Sequence, residues 1–406
     1  MFDLIIRQVK VSGYAEAVDV GIKDGQIVEI KKKIEGQQSE EIAAQGMFLS
    51  PGFVDAHTHL EKALSGEGIE VNSLGEAIAA FKKKYAGITK EDFIARAKKV
   101  VEMAVKNGTT AMRTHIYVDS IIGTRAIEAI LEVKRQVRDL LDLQVVAMPT
   151  NATYVFDEEL RSLTEKAIEL GADLLGGAPH IGEKPEAFID AIFDLALKNG
   201  LPIDFHVDES DEPVVKTLEY LAEKTIATGM EGKVTAGHCT SLAAVPDELA
   251  RRVIAKCAEA GLHIVTLPSC NLYLMGRKDK QPIRRGVTRV RDFLQAGVNI
   301  AYASDNIRDP FRPFGNADML EEGLLTAQVL QMGTPAELET VFHMGTYNPA
   351  KILGLPDYGT QIGCKADLVL LEASSPSEAL ISQATKAYVI KNGKPVAQTI
   401  KQQFLL

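Results

Sequence analysis

The feature that most constrains this chain is a unit repeated through its middle: an amphipathic helical stretch, a glycine, then a short apolar run. Gly108, Gly171, Gly200, Gly261 and Gly297 each end a helical pattern just before such a run. Glycine tolerates the left-handed conformation that closes a helix. The runs themselves read as parallel strands buried on both faces. They are Thr110–His115, Leu143–Pro149, Asp173–Ala178, Ile203–Val207, Val234–His238, His263–Pro268 and Asn299–Ser304, with Phe48–His57 before them. In Asp92–Asn107, Phe93, Ala97, Val100, Val101 and Ala104 share one helical face, and Thr89 with Asp92 has the form of a helix start.

Eight strands in sequence fit a closed barrel better than an open doubly wound sheet, which would want a Gly-rich phosphate loop after its first strand. The expected fold class is α/β, a (β/α)8 TIM-type barrel over residues 55–349. The chain ends differ. Leu4–Val9, Ala17–Ile22 and Ile27–Lys31 at one end, and Ala366–Leu371, Ala387–Lys391 and Pro395–Gln398 at the other, carry strand patterns. Asp24-Gly25 and Asn392-Gly393 supply turns. We expect residues 1–54 and 350–406 to form one discontinuous small β-sandwich domain. It offers no histidine, so catalytic groups belong to the barrel.

Composition narrows the partners. A net charge of −10 over 406 residues argues against binding a phosphate backbone, so no nucleic acid is expected. The run Lys31-Lys32-Lys33 reads as a solvated turn. No apolar run nears the roughly 20 residues of a membrane helix, and the first residues lack the marks of a signal peptide. Cys239, Cys257, Cys270 and Cys364 form no C-x-x-C pair, and a reducing cytoplasmic setting is the expectation. A homo-oligomer is compatible with all of this.

The string Val54-Asp55-Ala56-His57-Thr58-His59 ends the first barrel strand. Residues i and i+2 of a strand point to the same side, so His57 and His59 can both face the barrel mouth. Imidazole is a common ligand for Zn and Fe(II). Three further strands end in His206-Val207-Asp208-Glu209, His238-Cys239 and Ser304-Asp305-Asn306. Active sites of such barrels are built at these ends. Strand four, Asp173–His180, holds no lysine to bridge two metals, so one divalent ion, Zn or Fe(II), is the simpler reading. His115, His180 and His263 read as supporting or structural, and His343 as structural.

With these residues in place the chain resembles the amidohydrolase superfamily, essentially from end to end. The likeness is nearest to bacterial cytosine deaminases and N-isopropylammelide hydrolases. Met112-Arg113-Thr114-His115, Thr288-Arg289-Val290, Pro313–Met319 and Gly363–Leu368 add to it. The resemblance implies His57, His59, His206 and Asp305 as metal ligands, and His238 beside the attacking water or the substrate. It implies Glu209 as the proton shuttle of a His-x-x-Glu motif, whereas strand alternation from His206 nominates Asp208. Lys62, Thr150, Asn151 and Phe311 are the substrate-binding candidates. Thr150 stands where the deaminases read their pyrimidine with glutamine, and a hydroxyl cannot offer the paired donor and acceptor of a carboxamide. Asn151 follows it, and Phe311 matches a large aromatic after strand eight.

The activity so implied is deamination of a cyclic amidine, such as cytosine or a related aminopyrimidine, by metal-activated hydroxide. The alternative is hydrolysis of an N-alkylamino triazine or a cyclic amide. A non-catalytic metal or ligand-binding protein would leave Glu209 and His238 without roles.

Overall fold

The structure, a computed structural model, describes residues 1–71, 73–149, 154–402, 404 and 405, with Phe156 described only in its backbone. Thr150 and Asn151 lie outside the described residues. The strands are β1 (Phe2–Val11), β2 (Val18–Lys23), β3 (Gln26–Lys31), β4 (Gln38–Ala43), β5 (Phe48–Pro51), β6 (Phe53–Thr58), β7 (Thr109–Val118), β8 (Asp142–Pro149), β9 (Leu174–Gly177), β10 (Ile203–Val207), β11 (Val234–His238), β12 (His263–Thr266), β13 (Asn299–Tyr302), β14 (Leu368–Leu371), β15 (Lys386–Lys391) and β16 (Lys394–Gln398).

Strands β6 to β13 pair in sequence order, every pair parallel. Every residue of β6, β7, β10, β11 and β12 is buried, which is why their sequences carry no polar alternation. The first and last strands meet beyond β13. Thr58 bridges Asp305 in parallel, and the Asp305 N–H donates to the His57 carbonyl at 2.9 Å. This is the (β/α)8 plan, closed at the carboxyl ends of its strands. The helix Lys90–Lys106 buries the expected face, and the Thr89 hydroxyl accepts from the Asp92 N–H at 3.2 Å. Gly171 and Gly200 close their helices with φ of 111° and 67°.

The stretch read as one strand, Phe48–His57, is two. Phe48–Pro51 runs antiparallel to β14 in the sheet of the chain ends, and Phe53–Thr58 enters the barrel. The break is Gly52, where a Cβ would lie 2.1 Å from Thr110 Oγ1, so no side chain fits between the two layers. His263–Pro268 also stops early, at Thr266, because Pro268 opens the helix Pro268–Leu274.

The strands of the chain ends join in the order β16-β15-β14-β5-β1-β2-β3, with β4 beside β1. It is one continuous sheet rather than two independent ones, because the ten-residue β1 serves both halves. Its first part pairs with β2 and β4, and Lys10 and Val11 pair with β5. Leu4, Ile6 and Val20 from one half share a core with Leu49, Leu368 and Ile390 from the other. Among the described residues no helix is long and apolar enough to cross a membrane.

Candidate metal centre and active site

The closure of the barrel brings the strand-end groups together. His57 Nε2 lies 3.2 Å from His206 Nε2, and His59 Nε2 lies 3.0 Å from the same atom. Asp305 Oδ1 is 3.4 Å from His59 Nε2 and 3.7 Å from His57 Nε2. All four side chains are buried. The positive φ of Asp305, 57°, turns its carboxylate into the mouth just as the chain leaves β13.

These atoms have the chemistry of a cation site. Burial, and then the repulsion of neighbouring imidazoles or Lys62, holds His57, His59 and His206 well below their ordinary range, so each is neutral and has a lone pair to give. Three such nitrogens crowd one point where a single proton could serve only one contact. Neither oxygen of the buried Asp305 carboxylate has a hydrogen-bond partner. Burial pushes that carboxyl up to about 7, although Cys270 and Lys62 pull the other way. A divalent ion would satisfy all four groups and hold the carboxylate ionised. His57, His59 and Asp305 form one ligand-competent group, and His57, His206 and His238 another. His59 Nδ1 lies 3.2 Å from both the His115 carbonyl and Lys62 Nζ; with its proton donated to the carbonyl, Nε2 is free for a metal.

Glu209 and His238 stand beside this point. Glu209 Oε1 is 3.4 Å from His238 Nδ1. Asn271 Nδ2 is 3.2 Å from the same nitrogen, and with the amide donating there, the proton of His238 sits on Nε2. Burial, then the charge of Asp305, pushes Glu209 up to about 8, against the pull of Lys62. Asp208, the choice of strand alternation, faces elsewhere. With φ of 45° it has left the strand, and its carboxylate accepts from the N–H groups of Lys216, Thr217 and Leu218. That carboxylate organises the start of the helix Leu218–Thr228 rather than the cavity.

Glu209 and His238 line a cavity of about 30 Å3 together with Lys62, Tyr117, Met148 and Phe311. Leu74 and Ile78, on the helix Leu74–Tyr85, cover it. A larger groove of about 840 Å3 between the end sheet and the barrel includes Asp24, Lys365 and Asn392, but none of the grouped histidines lines it. Lys62 Nζ sits 3.9 Å from the Tyr117 ring centre and 4.8 Å from that of Phe311. The loop after β6 thus buries a lysine against aromatic faces at the edge of the metal point. Tyr117, Asn271 and Met148 were not anticipated from the sequence, because they match neither the metal-ligand pattern nor the resemblance and the fold alone brings them to the site. Tyr117 had a signal, being two positions beyond His115 on the same face of β7.

The remaining histidines divide. His115 stacks on His57 with ring centres 4.0 Å apart, and His180 Nδ1 lies 3.2 Å from the His206 carbonyl. His263 sits at the opposite end of the barrel beside Asn299, and His343 packs on Tyr347.

Comparison with known proteins identifies the family. The sequence profile described as the amidohydrolase family matches residues 98–397. The N-isopropylammelide isopropyl amidohydrolase of Pseudomonas sp. (strain ADP) is 37% identical over 98% of both chains. The pterin deaminase of Rhizobium rhizogenes is 35% identical over 94% of this chain and 88% of its own. The crystal structure of 5-methylcytosine deaminase from Klebsiella pneumoniae liganded with 5-fluorocytosine superimposes with a TM-score of 0.93, at 32% identity and 99% coverage of each chain. The barrel, its strand-end histidines and these likenesses converge: the chain belongs to the amidohydrolase family.

Proposed function

We propose that this protein is a metal-dependent aminohydrolase that removes an amino group from a cyclic amidine, an aminopyrimidine or a related amino-oxo heterocycle. The observation that carries the reading is the placement of Glu209 and His238 beside the point shared by His57, His59, His206 and Asp305. One Zn or Fe(II) held by those four residues would lower the pKa of water from about 16 towards 7 and so supply hydroxide at neutral pH.

The chain's own groups divide the remaining work. Asp305 accepts the proton released from the water. His238, with its proton on Nε2, donates to the attacking oxygen and stabilises the charge that develops there. Glu209, largely buried and protonated, gives its proton to the ring nitrogen. Recharged with the proton that Asp305 took from the water, it protonates the departing amine, and it regains its own proton from the hydroxyl as the carbonyl forms. Lys62 presents its ammonium to a ring carbonyl oxygen, and Phe311 covers the ring face. The apolar wall of Leu74 and Ile78 excludes bulk water.

A second reading, release of an alkylamine from an N-alkylamino triazine, is favoured by the 37% identity to the Pseudomonas enzyme. Incubation of the metal-loaded protein with cytosine, 5-methylcytosine, pterin and N-isopropylammelide separates the two. Ammonia from the first three supports deamination, and isopropylamine from the fourth supports the alternative. Neither product from any of the four would overturn the aminohydrolase reading for these ring classes.

A further inference from the structure

Beneath the metal point lies a second layer of buried polar groups that the chemistry above does not use. Asp204 stands two residues before His206 on β10, and Arg113 two before His115 on β7, so each pair faces the barrel interior. Arg113 Nη1 holds Asp204 Oδ2 at 2.7 Å, and His115 Nε2 is 3.3 Å from Asp204 Oδ1. One ligand-type atom each of His57, His115 and Asp204 lies within 4.8 Å of the other two. His57 Nδ1, both ring nitrogens of His115 and Asp204 Oδ1 are buried without a hydrogen-bond partner. At Gly237 a Cβ would sit 3.2 Å from His57 Nδ1, so the missing side chain leaves room for that edge of the ring.

A second cation is the poorer occupant of this layer, because the Arg113 guanidinium already neutralises Asp204. A proton fits it. A neutral His57 that gives its Nε2 lone pair to a metal must carry its proton on Nδ1, and a buried N–H needs an acceptor. We propose that Asp204, held by Arg113 and acting with His115, is a positioning residue that accepts the Nδ1 proton of His57 once a metal takes Nε2, the two residues being neighbours whose Nδ1 and Oδ1 atoms still lack partners. It fixes the tautomer in which Nε2 is the ligand. This rests on the metal reading above.

The test compares the wild type with Asp204→Asn and His115→Phe, the latter keeping a ring against His57. Zinc affinity is measured by chelator competition, and the His57 tautomer by 15N NMR of histidine-labelled protein. Zinc binding weakened about 10–100-fold is expected in both variants, with the His57 signals moving away from the form protonated on Nδ1. If Asp204→Asn fails to fold, His115→Phe carries the same expectation. Wild-type zinc affinity together with an unchanged His57 signal in a folded variant overturns the proposal. A wild type that holds no stoichiometric zinc overturns the metal reading instead.

Discussion

The N–H of Asp305 donates to the carbonyl of His57 at 2.9 Å, so the seam that closes the barrel is also the contact that sets two candidate ligands side by side. One residue earlier, Ser304 donates its N–H to Asp55 Oδ1 at 3.1 Å, and its hydroxyl reaches Oδ2. Asp55→Ala removes the acceptor and leaves a buried N–H unpaired, at a cost of about 1–3 kcal/mol. We expect a lower urea midpoint at unchanged slope, and a faster loss of bound zinc to a chelator. Unaltered zinc retention would mean that the seam and the ligands are not coupled.

His206 Nε2 lies 3.2 Å from His57 Nε2 and 3.0 Å from His59 Nε2, so it joins the two strand-end histidines. His206→Ala should therefore abolish both stoichiometric metal and turnover, since a three-ligand remnant binds far more weakly. Elemental analysis of the wild type should find one ion per chain. Two ions, or full activity after chelation, would contradict the site.

Glu209 and Asp208 are neighbours with different surroundings, and their variants should separate cleanly. Glu209→Gln should keep the metal and lower turnover by about 10²–10⁴, the range for a lost acid–base group. Asp208→Asn should chiefly lower stability, by about 1–2 kcal/mol, because it weakens the acceptor for three N–H groups. Steady-state kinetics and thermal denaturation of the two proteins read these outcomes side by side. A reversed pattern would return the proton shuttle to Asp208.

A pH dependence arises far from the site. Burial raises the pKa of Asp19, but Arg7 at 2.7 Å and the N–H groups of Ile34 and Gln8 outweigh it and hold the carboxyl below its ordinary value. Its stabilising contribution is fully present above the unfolded pKa of about 3.9. It is lost as the pH falls through the lower folded value. Urea midpoints measured from pH 6 down to pH 2 should show a fall below pH 4 that Asp19→Asn shows less. Parallel curves for the two proteins would exclude Asp19 as a source of the acid sensitivity.

How far the sequence could be read depended on which physical signal each part carries. The barrel strands are doubly buried and punctuated by helix-closing glycines, so their order, and the histidines and aspartate gathered at their ends, were legible. The strand Gln38–Ala43 was not, because it runs at the edge of the sheet with only Ile42 buried and shows no apolar alternation. Phe48–His57 read as one strand because both of its halves are buried, and periodicity is blind to a change of sheet. Glu61 and Lys62 lie in a loop by pattern yet are fully enclosed, the lysine by aromatic rings that come from distant parts of the chain.

The pairing of β5 with β14 sets an order of events during synthesis. Tyr358 donates its hydroxyl to the Gly52 carbonyl across 306 positions, and Leu49 faces Leu370 in the same region. At about 5–20 residues per second, the outer edge of β5 waits on the order of tens of seconds for its partner to leave the ribosome. During that interval an apolar edge holding Phe48 and Leu49 lies open, and open edges recruit other strands. The nascent chain is thus most exposed to aggregation while its barrel is still being made, and a chaperone that shields this edge would raise the yield of folded protein more than one acting after release.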